Sequence, residues 1–205
     1  SVDYTVATGD GADTFTTGNN ADSENLLTGG AGTNTYNINS AGANTISDLK
    51  GSDVLVLDDN GLVTATATAD FVATVATINR SAMASGTLVA ANGIDINMSA
   101  ATSTVNGFTI NAGSNALAST LIGSDQADSI TGAAAADSLV GGALDDTING
   151  GALADSLTGG TGADDFKMYN SATVDNITDF TVAQTDQLGF DISDIETSGI
   201  ADVVL

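Results

Sequence analysis

Single large apolar residues recur every nine positions in the second half of the chain. Five consecutive nine-residue frames share one layout, and they begin at Gly123, Gly132, Gly141, Gly150 and Gly159. The eighth position of each frame is apolar, and these residues are Ile130, Leu139, Ile148, Leu157 and Phe166. Each frame leaves room for only about three residues of strand after its turn. One such unit cannot bury its apolar residue alone, so the period predicts units stacked into a solenoid.

The sixth position of the same five frames is always an aspartate: Asp128, Asp137, Asp146, Asp155 and Asp164. If two frames make one coil, residues 18 apart lie above one another, and the aspartates fall into two rows. Strands stacked about 4.8 Å apart would bring these like charges close together. The rows therefore repel unless a cation lies between consecutive turns.

A looser copy of the pattern opens the chain. TGDGADTFT (8–16) places Asp13 at the sixth position, and GGAGTNTYN (29–37) places Asn34 there. Further frames, beginning at residues 20 and 39, place Asn25 and Asn44 at the sixth position. Asparagine supplies no charge, so this first block is the weaker candidate for a cation array.

Both blocks end in the same way. Asn44-Thr-Ile-Ser-Asp48 followed by Asp53 parallels Asp175-Asn-Ile-Thr-Asp179 followed by Asp186. The pattern therefore predicts repeats followed by a terminating segment, twice.

The stretch between the blocks is rich in Thr, Ala, Val and Ser. LVTATAT (62–68) and GFTINAG (107–113) have strand-like composition, whereas Phe71, Val75, Ile78 and Ala82 have helical spacing. Because threonine is a poor helix former, strands are favoured. The pattern leaves open whether residues 57–122 continue the solenoid or form a separate β-sandwich-like unit.

The predicted fold is all-β: a right-handed parallel β-roll or β-solenoid of nonapeptide repeats in two blocks, joined by a Thr/Ala-rich β segment. The predicted divisions are residues 1–57, 58–122, 123–167 and 168–205. Repeat-like sequence begins within the first ten residues and no initiating Met is present. We therefore expect a segment of a longer protein.

Charge narrows the candidate partners to cations. The formal net charge is −23, from 26 acidic and three basic residues, which argues against nucleic acid and anionic membranes. Only Glu24 and Glu196 are glutamates, so 26 − 2 = 24 acidic residues are aspartates. There is no Cys or His, which removes zinc sites and the common nucleophile–base pairs, so we expect no catalytic residues and no enzyme. No apolar run is long enough to span a membrane.

Oxygen is then the ligand type that the chain can offer to a metal. Carboxylates and turn carbonyls in flexible loops favour calcium over zinc or magnesium. A metal-free alternative stays open, in which the aspartates only form Asx turns and solubilise the solenoid.

The repeats resemble those of the RTX family, secreted proteins with calcium-binding repeats of the form GGxGxDxUx, where U is a large apolar residue. GGTGADDFK (159–167), GGALDDTIN (141–149) and GGALADSLT (150–158) carry the likeness, and VDNITDFTVAQTDQL (174–188) is similar to the segment that closes many such arrays. The resemblance implies a calcium-binding β-roll and export by type I secretion. The Ala/Thr/Ser/Asn-rich middle is similar to stretches of RTX-type bacterial surface-layer proteins.

The resemblance also implies ligand sets for several calcium ions, each lying between a turn and the turn one coil later. The family pattern uses the carbonyls of positions 2 and 4 with the Asp of one turn, and the carbonyls of positions 1 and 3 with the Asp of the next. The first set is Ser124, Gln126, Asp128, Gly141, Ala143 and Asp146. The second is Ala133, Ala135, Asp137, Gly150, Ala152 and Asp155. The third is Gly142, Leu144, Asp146, Gly159, Thr161 and Asp164.

Further candidate metal residues lie in the first block and the terminators: Asp13, Asn34, Asn44, Asp53 and Asp179. The array departs from the family pattern at the fourth position, where glycine is replaced by Gln126, Ala135, Leu144 and Leu153. If that position needs positive φ, each replacement costs on the order of 1 kcal/mol.

We therefore expect a calcium-binding structural segment of a bacterial surface layer or extracellular matrix. It would fold on calcium binding after export and associate with neighbouring copies at the cell surface. The alternatives from other classes are a secretion and folding module of a larger RTX enzyme or toxin, and a segment of an adhesin.

Overall fold

The computed structural model describes residues 4–18, 24–51, 53–58, 61–81, 86–103, 105–168 and 173–190. Within these ranges the regular structure is β-strand, apart from one short 3₁₀ turn at Val182–Gln184. The strands pair in parallel and stack into a β-solenoid, which confirms the predicted all-β solenoid fold. No helix in the described ranges is long and apolar enough to cross a membrane.

The strands are short, as the nine-residue period requires. The first block contains β1 (Tyr4–Ala7), β2 (Thr14–Thr16), β3 (Asn25–Thr28), β4 (Thr35–Ile38), β5 (Asn44–Gly51) and β6 (Val54–Leu57). The middle contains β7 (Val63–Val72), β8 (Ile78–Asn79), β9 (Gly86–Ala90), β10 (Ile96–Asn97), β11 (Thr102–Ser103), β12 (Phe108–Asn111) and β13 (Thr120–Ile122). The array and its end contain β14 (Ser129–Thr131), β15 (Ser138–Ala143), β16 (Thr147–Asn149), β17 (Ser156–Thr161), β18 (Asp165–Met168), β19 (Asn176–Ile177) and β20 (Gln187–Phe190).

One wall of the solenoid runs through the whole described chain. Strands β1, β3, β5, β7, β9, β12, β14, β16, β18 and β20 pair successively in parallel. The register joins Thr64 to Thr87 and Thr87 to Thr109, so the middle coils are 23 and 22 residues long. In the array it joins Ser129 to Thr147, a spacing of 18. The described part of residues 57–122 therefore continues the same solenoid.

The side of the solenoid opposite this wall is formed by two different columns of strands. Strands β2, β4, β6, β8 and β11 form one five-stranded sheet. A second column begins at the end of β7, where Phe71 pairs with Ile96, and continues through β10, β13, β15, β17 and β19. Because β7 contributes to both the continuous wall and the second column, the middle coils have an additional side and need more residues.

The core is a thin column of inward-facing residues. All five apolar residues of the array frames are fully buried, as the period predicts; they are Ile130, Leu139, Ile148, Leu157 and Phe166. In the first block Phe15 stacks on Tyr36 with ring centroids 5.0 Å apart. The helical alternative for the middle is wrong where it can be checked, since Phe71 and Ile78 lie in strands β7 and β8. Ala82, which belongs to the same helical pattern, lies outside the described residues.

Candidate calcium-binding site

The aspartates at the sixth positions form two ladders along the turns. In each ladder the Oδ1 atom accepts the backbone N–H of the equivalent residue one coil earlier. Asp146 accepts from Asp128 at 2.7 Å, and Asp164 accepts from Asp146 at 3.0 Å. In the other row, Asp155 accepts from Asp137 at 2.8 Å. The predicted stacking of residues 18 apart is therefore present, and it fixes each carboxylate against the preceding coil.

The terminators extend these ladders. Asp175 accepts from the Asp155 N–H at 3.0 Å, and Asp186 accepts from the Asp164 N–H at 3.3 Å. The first block repeats the arrangement, because Asp53 accepts from the Asn34 N–H at 2.7 Å. The sequence patterns did not assign Asp175 or Asp186 to the site, although the parallel endings of the two blocks were the available signal.

The array turns are of two kinds, which differ in whether the Oδ2 atom of their aspartate has a hydrogen-bond partner. The Oδ2 atoms of Asp146, Asp155 and Asp164 are buried and have no hydrogen-bond partner in the part of the chain that the structure describes. These three residues are only 1–3% exposed. A buried carboxylate oxygen without a partner carries a large desolvation cost, which a cation would offset.

The two earlier turns are closed without a cation. Asp128 Oδ2 accepts the Ser124 N–H at 2.5 Å and the Ser124 hydroxyl at 3.0 Å. Asp137 Oδ2 accepts the Ala133 N–H at 2.8 Å. Ser124 and Ala133 occupy the second position of their turns, and their own N–H groups take up the oxygen that is unpartnered in later turns.

The later turns differ because their second residue is glycine with positive φ. Gly142, Gly151 and Gly160 have φ values of 131°, 97° and 103°. This conformation is open to glycine and strained for other residues. No hydrogen bond joins their N–H groups to the Asp146, Asp155 and Asp164 carboxylates among the described residues, so those Oδ2 atoms stay unpartnered.

Backbone carbonyls line the space between consecutive coils. A Cβ atom added at Gly160 would lie 2.1 Å from the carbonyl oxygen of Gly142, and one added at Gly162 would lie 2.1 Å from that of Leu144. Within the described residues, no three acidic side chains converge on one point. A cation at these turns would therefore draw most of its ligands from carbonyls, with one carboxylate from each of two consecutive coils of the same ladder, and this oxygen-only set fits calcium.

The fourth position of the turns has two conformations. Leu144 and Leu153 have φ values of 65° and 71°, with about half of each side chain exposed. Gln126 and Ala135 do not adopt positive φ. The strain expected at the fourth position is therefore present in two of the four substituted turns, and these are turns whose aspartate oxygen is unpartnered.

Burial and crowding raise the pKa values of the ladder carboxyls. Burial raises the pKa of Asp146 to about 8; the hydrogen bond from the Asp128 N–H offsets part of this rise, and repulsion from neighbouring aspartates adds to it. Burial also raises the pKa values of Asp128 and Asp155 to about 6, and that of Asp164 in the same direction. The folded ladder therefore favours bound positive charge.

Each predicted ligand set contains at least one of the unpartnered oxygens. The first set includes that of Asp146, the second that of Asp155, and the third those of Asp146 and Asp164. Asp128 and Asp137 are the first aspartates of the two ladders in the array. The Oδ2 atom of each accepts a backbone N–H group. The ligand sets as wholes, and the number of ions, stay predictions.

The candidates outside the array have hydrogen-bond partners of their own, apart from one atom. Both oxygens of Asp179 accept backbone N–H groups, from Gly159 at 2.9 Å and from Gly160 at 2.8 Å. Asp53 accepts from the N–H groups of Asn34 and Lys50, and the Asn44 amide donates to carbonyls such as that of Leu62. The exception is Asp13, whose buried Oδ2 has no hydrogen-bond partner among the described residues. Their roles as calcium ligands stay predictions.

The comparison with protein families agrees with the geometry. Residues 115–148 and 140–166 match the RTX calcium-binding nonapeptide repeat, in four copies. Together they span residues 115–166, which is 166 − 115 + 1 = 52 of the 205 residues. No curated protein and no solved structure matches the chain. The chain therefore contains an RTX calcium-binding repeat array, built as the continuation of a longer β-solenoid.

Proposed function

We propose that the chain is a calcium-stabilised structural segment of an extracellular bacterial assembly, such as a surface layer or matrix. The observation that carries this proposal is the set of three buried, unpartnered oxygens on Asp146, Asp155 and Asp164. The array gives them neither a hydrogen-bond donor nor a basic side chain. A bound divalent cation would supply the positive charge that these three oxygens lack.

The mechanism is coupled folding and binding. Without calcium, the ladders place carboxylates in successive coils, and their repulsion and burial oppose folding. Calcium would be held by these carboxylates and by carbonyls from two consecutive coils, so its binding free energy becomes folding free energy. Low calcium inside the cell would keep the array extended for export, and millimolar calcium outside would fold it.

Two features support a structural role over a catalytic one. The sequence contains no His or Cys, and its described aspartates lie mainly in repeated turns instead of a single cleft. The solenoid is also continuous, because one parallel wall runs from the first block through the middle coils into the array. A solenoid with net charge −23 is suited to cross-linking by divalent cations between neighbouring copies.

Circular dichroism during calcium titration tests the folding proposal. We expect the β signal to rise with calcium and to fall again with chelator. A β signal that chelation leaves unchanged would favour the metal-free alternative, in which the aspartates only form turns.

Electron microscopy tests the assembly proposal. We expect the purified chain to form ordered sheets or fibres at millimolar calcium and to disperse in chelator. Monodisperse particles at millimolar calcium would favour the other class, a folding module of a larger RTX enzyme, toxin or adhesin.

A further inference from the structure

Two turns in different halves of the molecule have the same backbone design. The Gly29 turn (residues 29–34) and the Gly159 turn (residues 159–164) both begin with two glycines and have glycine at the fourth position. Their second residues have positive φ, 73° at Gly30 and 103° at Gly160. Their fourth residues do as well, 106° at Gly32 and 142° at Gly162.

The two turns also have matching partners in the next coil. In the Gly29 turn, the two glycine N–H groups donate to the carboxylate of Asp48 at 2.9 and 2.8 Å. In the Gly159 turn, they donate to Asp179 at the same distances. The sixth residue of each turn then donates its N–H to the terminator aspartate, Asp53 or Asp186.

The sixth residue itself is the difference: Asn34 in one turn and Asp164 in the other. Both are buried, at 0% and 1% exposure. The Oδ1 atom of Asn34 accepts the Asp13 N–H at 3.1 Å, and that of Asp164 accepts the Asp146 N–H at 3.0 Å. Because an N–H donor fixes which atom of the Asn34 amide faces it, the amide nitrogen occupies the position of the Asp164 Oδ2.

The atom at that position is a hydrogen-bond acceptor in one turn and a donor in the other. The Oδ2 atom of Asp164 has no partner, whereas the Nδ2 atom of Asn34 lies 3.5 Å from the Gly30 carbonyl oxygen and points hydrogens at the turn. The two hydrogens of an amide NH2 group carry partial positive charge, and the amide adds no net charge. It thus supplies to the turn, more weakly, the positive charge that a cation would supply.

We propose that the Gly29 turn is a latent calcium site, which the side-chain amide of Asn34 keeps closed and metal-free. This inference rests on the proposed calcium binding at the array turns. It assigns the choice between a metal-bound and a metal-free turn to one atom of the sixth residue. The first block can then fold at low calcium while sharing its backbone design with the array.

The neighbouring Asp13 does not fill the same role. In the array, the Oδ1 atoms of Asp146, Asp155 and Asp164 accept N–H groups from the coil before. The turn of Asp13 has no earlier coil in its row among the described residues, although its Oδ2 atom is unpartnered like those of the array. Asn34 connects the first two described coils of this row by accepting the Asp13 N–H. Asp164 connects two later coils in the same way by accepting the Asp146 N–H.

The test is a reciprocal exchange in the full 205-residue chain, with bound calcium counted by equilibrium dialysis at saturating free calcium. Asn34→Asp should bind one more ion than the wild type, and Asp164→Asn should bind one fewer. The double variant should restore the wild-type count. Asn79→Asp is the matched control: Asn79 is also fully buried, but its amide donates to Asn106 and Gly107 outside any Gly-Gly turn, so it should gain no ion.

Folding of the first block gives a second readout. Tyr36 stacks on Phe15 in the first block, so its near-ultraviolet circular dichroism reports this region. The signal should become calcium-dependent in Asn34→Asp and stay calcium-independent in the wild type. An Asn34→Asp variant that gains no ion, or that loses the Tyr36 signal even with calcium, would overturn the inference. A wild type that binds no calcium would instead overturn the proposed function.

Discussion

The second residue of each turn decides whether its aspartate is satisfied by the protein alone. Ser124 and Ala133 donate their N–H groups to the aspartate four residues later. Gly142 and Gly160 have positive φ, and the aspartates of their turns keep an unpartnered oxygen. Among the array turns, which all have aspartate at the sixth position, a single backbone dihedral angle, available to glycine at low cost, therefore separates a self-closed turn from one with an unpartnered oxygen.

At Asp146, replacement by alanine should weaken calcium binding more than replacement of Asp137. Asp146 belongs to two of the three predicted ligand sets and has an unpartnered oxygen, whereas both oxygens of Asp137 accept N–H groups. Calorimetric calcium titration of Asp146→Ala and Asp137→Ala measures the difference. Equal loss of calcium binding from the two variants would contradict the assigned ligands.

A side chain at Gly162 should be costly. Its φ is 142°, and an added Cβ would lie 2.1 Å from the carbonyl oxygen of Leu144 in the preceding coil. We expect Gly162→Ala to lower the free energy of unfolding by about 2 kcal/mol or more. Gly189→Ala is the control, since its nearest contact is 3.3 Å and its φ is not in the positive range. Urea unfolding at millimolar calcium should show a large effect for the first variant and little for the second.

The sequence predicted which residues form the core and the ladders, but not how each turn is closed. The nine-residue period identified Ile148 as buried and Asp146 as a ladder residue, because both properties follow from spacing alone. The partner of an aspartate oxygen depends on the backbone dihedrals of the turn, and composition does not specify them. Backbone strain was predicted for a non-glycine residue at the fourth position of a turn. Leu144 has the positive φ that causes such strain, whereas Gln126 does not.

At the scale of elements, each repeat block ends in a cap that satisfies the last Gly-Gly turn. Asp48 and Asp179 each accept two glycine N–H groups from the coil before. Beside them, Ser47 pairs with the Thr28 hydroxyl at 2.6 Å, and Thr178 pairs with that of Thr158 at 2.7 Å. The parallel endings were visible in the sequence, but their function as caps was not, because the partners lie about a full coil earlier.

Removal of the second cap should loosen the last array turn. Asp179→Ala leaves the N–H groups of Gly159 and Gly160 without their acceptor, so we expect a loss of about 1–3 kcal/mol in unfolding free energy. Amide hydrogen exchange at these two glycines should accelerate. Asp125→Ala, at an exposed aspartate, removes the same charge and should leave their exchange unchanged. Equal acceleration in both variants would assign the effect to charge alone.

At the scale of the whole molecule, one solenoid carries turns with and without predicted calcium. The middle coils were not recognised from sequence because their lengths of 23 and 22 residues give no fixed period. Their corners are closed by buried asparagines. The Asn79 amide donates to the Asn106 and Gly107 carbonyls, and the Asn115 amide donates to that of Ala91.

The stability of the calcium-free protein should rise as the pH falls from 8 to 5. The pKa of Asp146 is raised from 3.8 to about 8 in the folded chain, so the folded state binds a proton that the unfolded state releases in this window. The unfolding free energy therefore falls as the pH rises through this range. Thermal unfolding in chelator should show the higher midpoint at pH 5. With calcium present the trend should weaken or reverse, because protons compete with the ion. A midpoint in chelator that rises with pH would contradict this.

Chelation should unfold the array before it unfolds the middle coils. The second oxygens of Asp146, Asp155 and Asp164 have no hydrogen-bond partner among the described residues and would need a cation, whereas Asn79 and Asn115 close the middle coils with their own amides. Hydrogen exchange with mass spectrometry should show loss of protection in residues 138–168 and retained protection in residues 63–72 and 86–90 after chelator is added. Re-addition of calcium serves as the control and should restore the array's protection. Simultaneous loss in all three stretches would show instead that the solenoid unfolds as one cooperative unit, with calcium stabilising every coil through its neighbours.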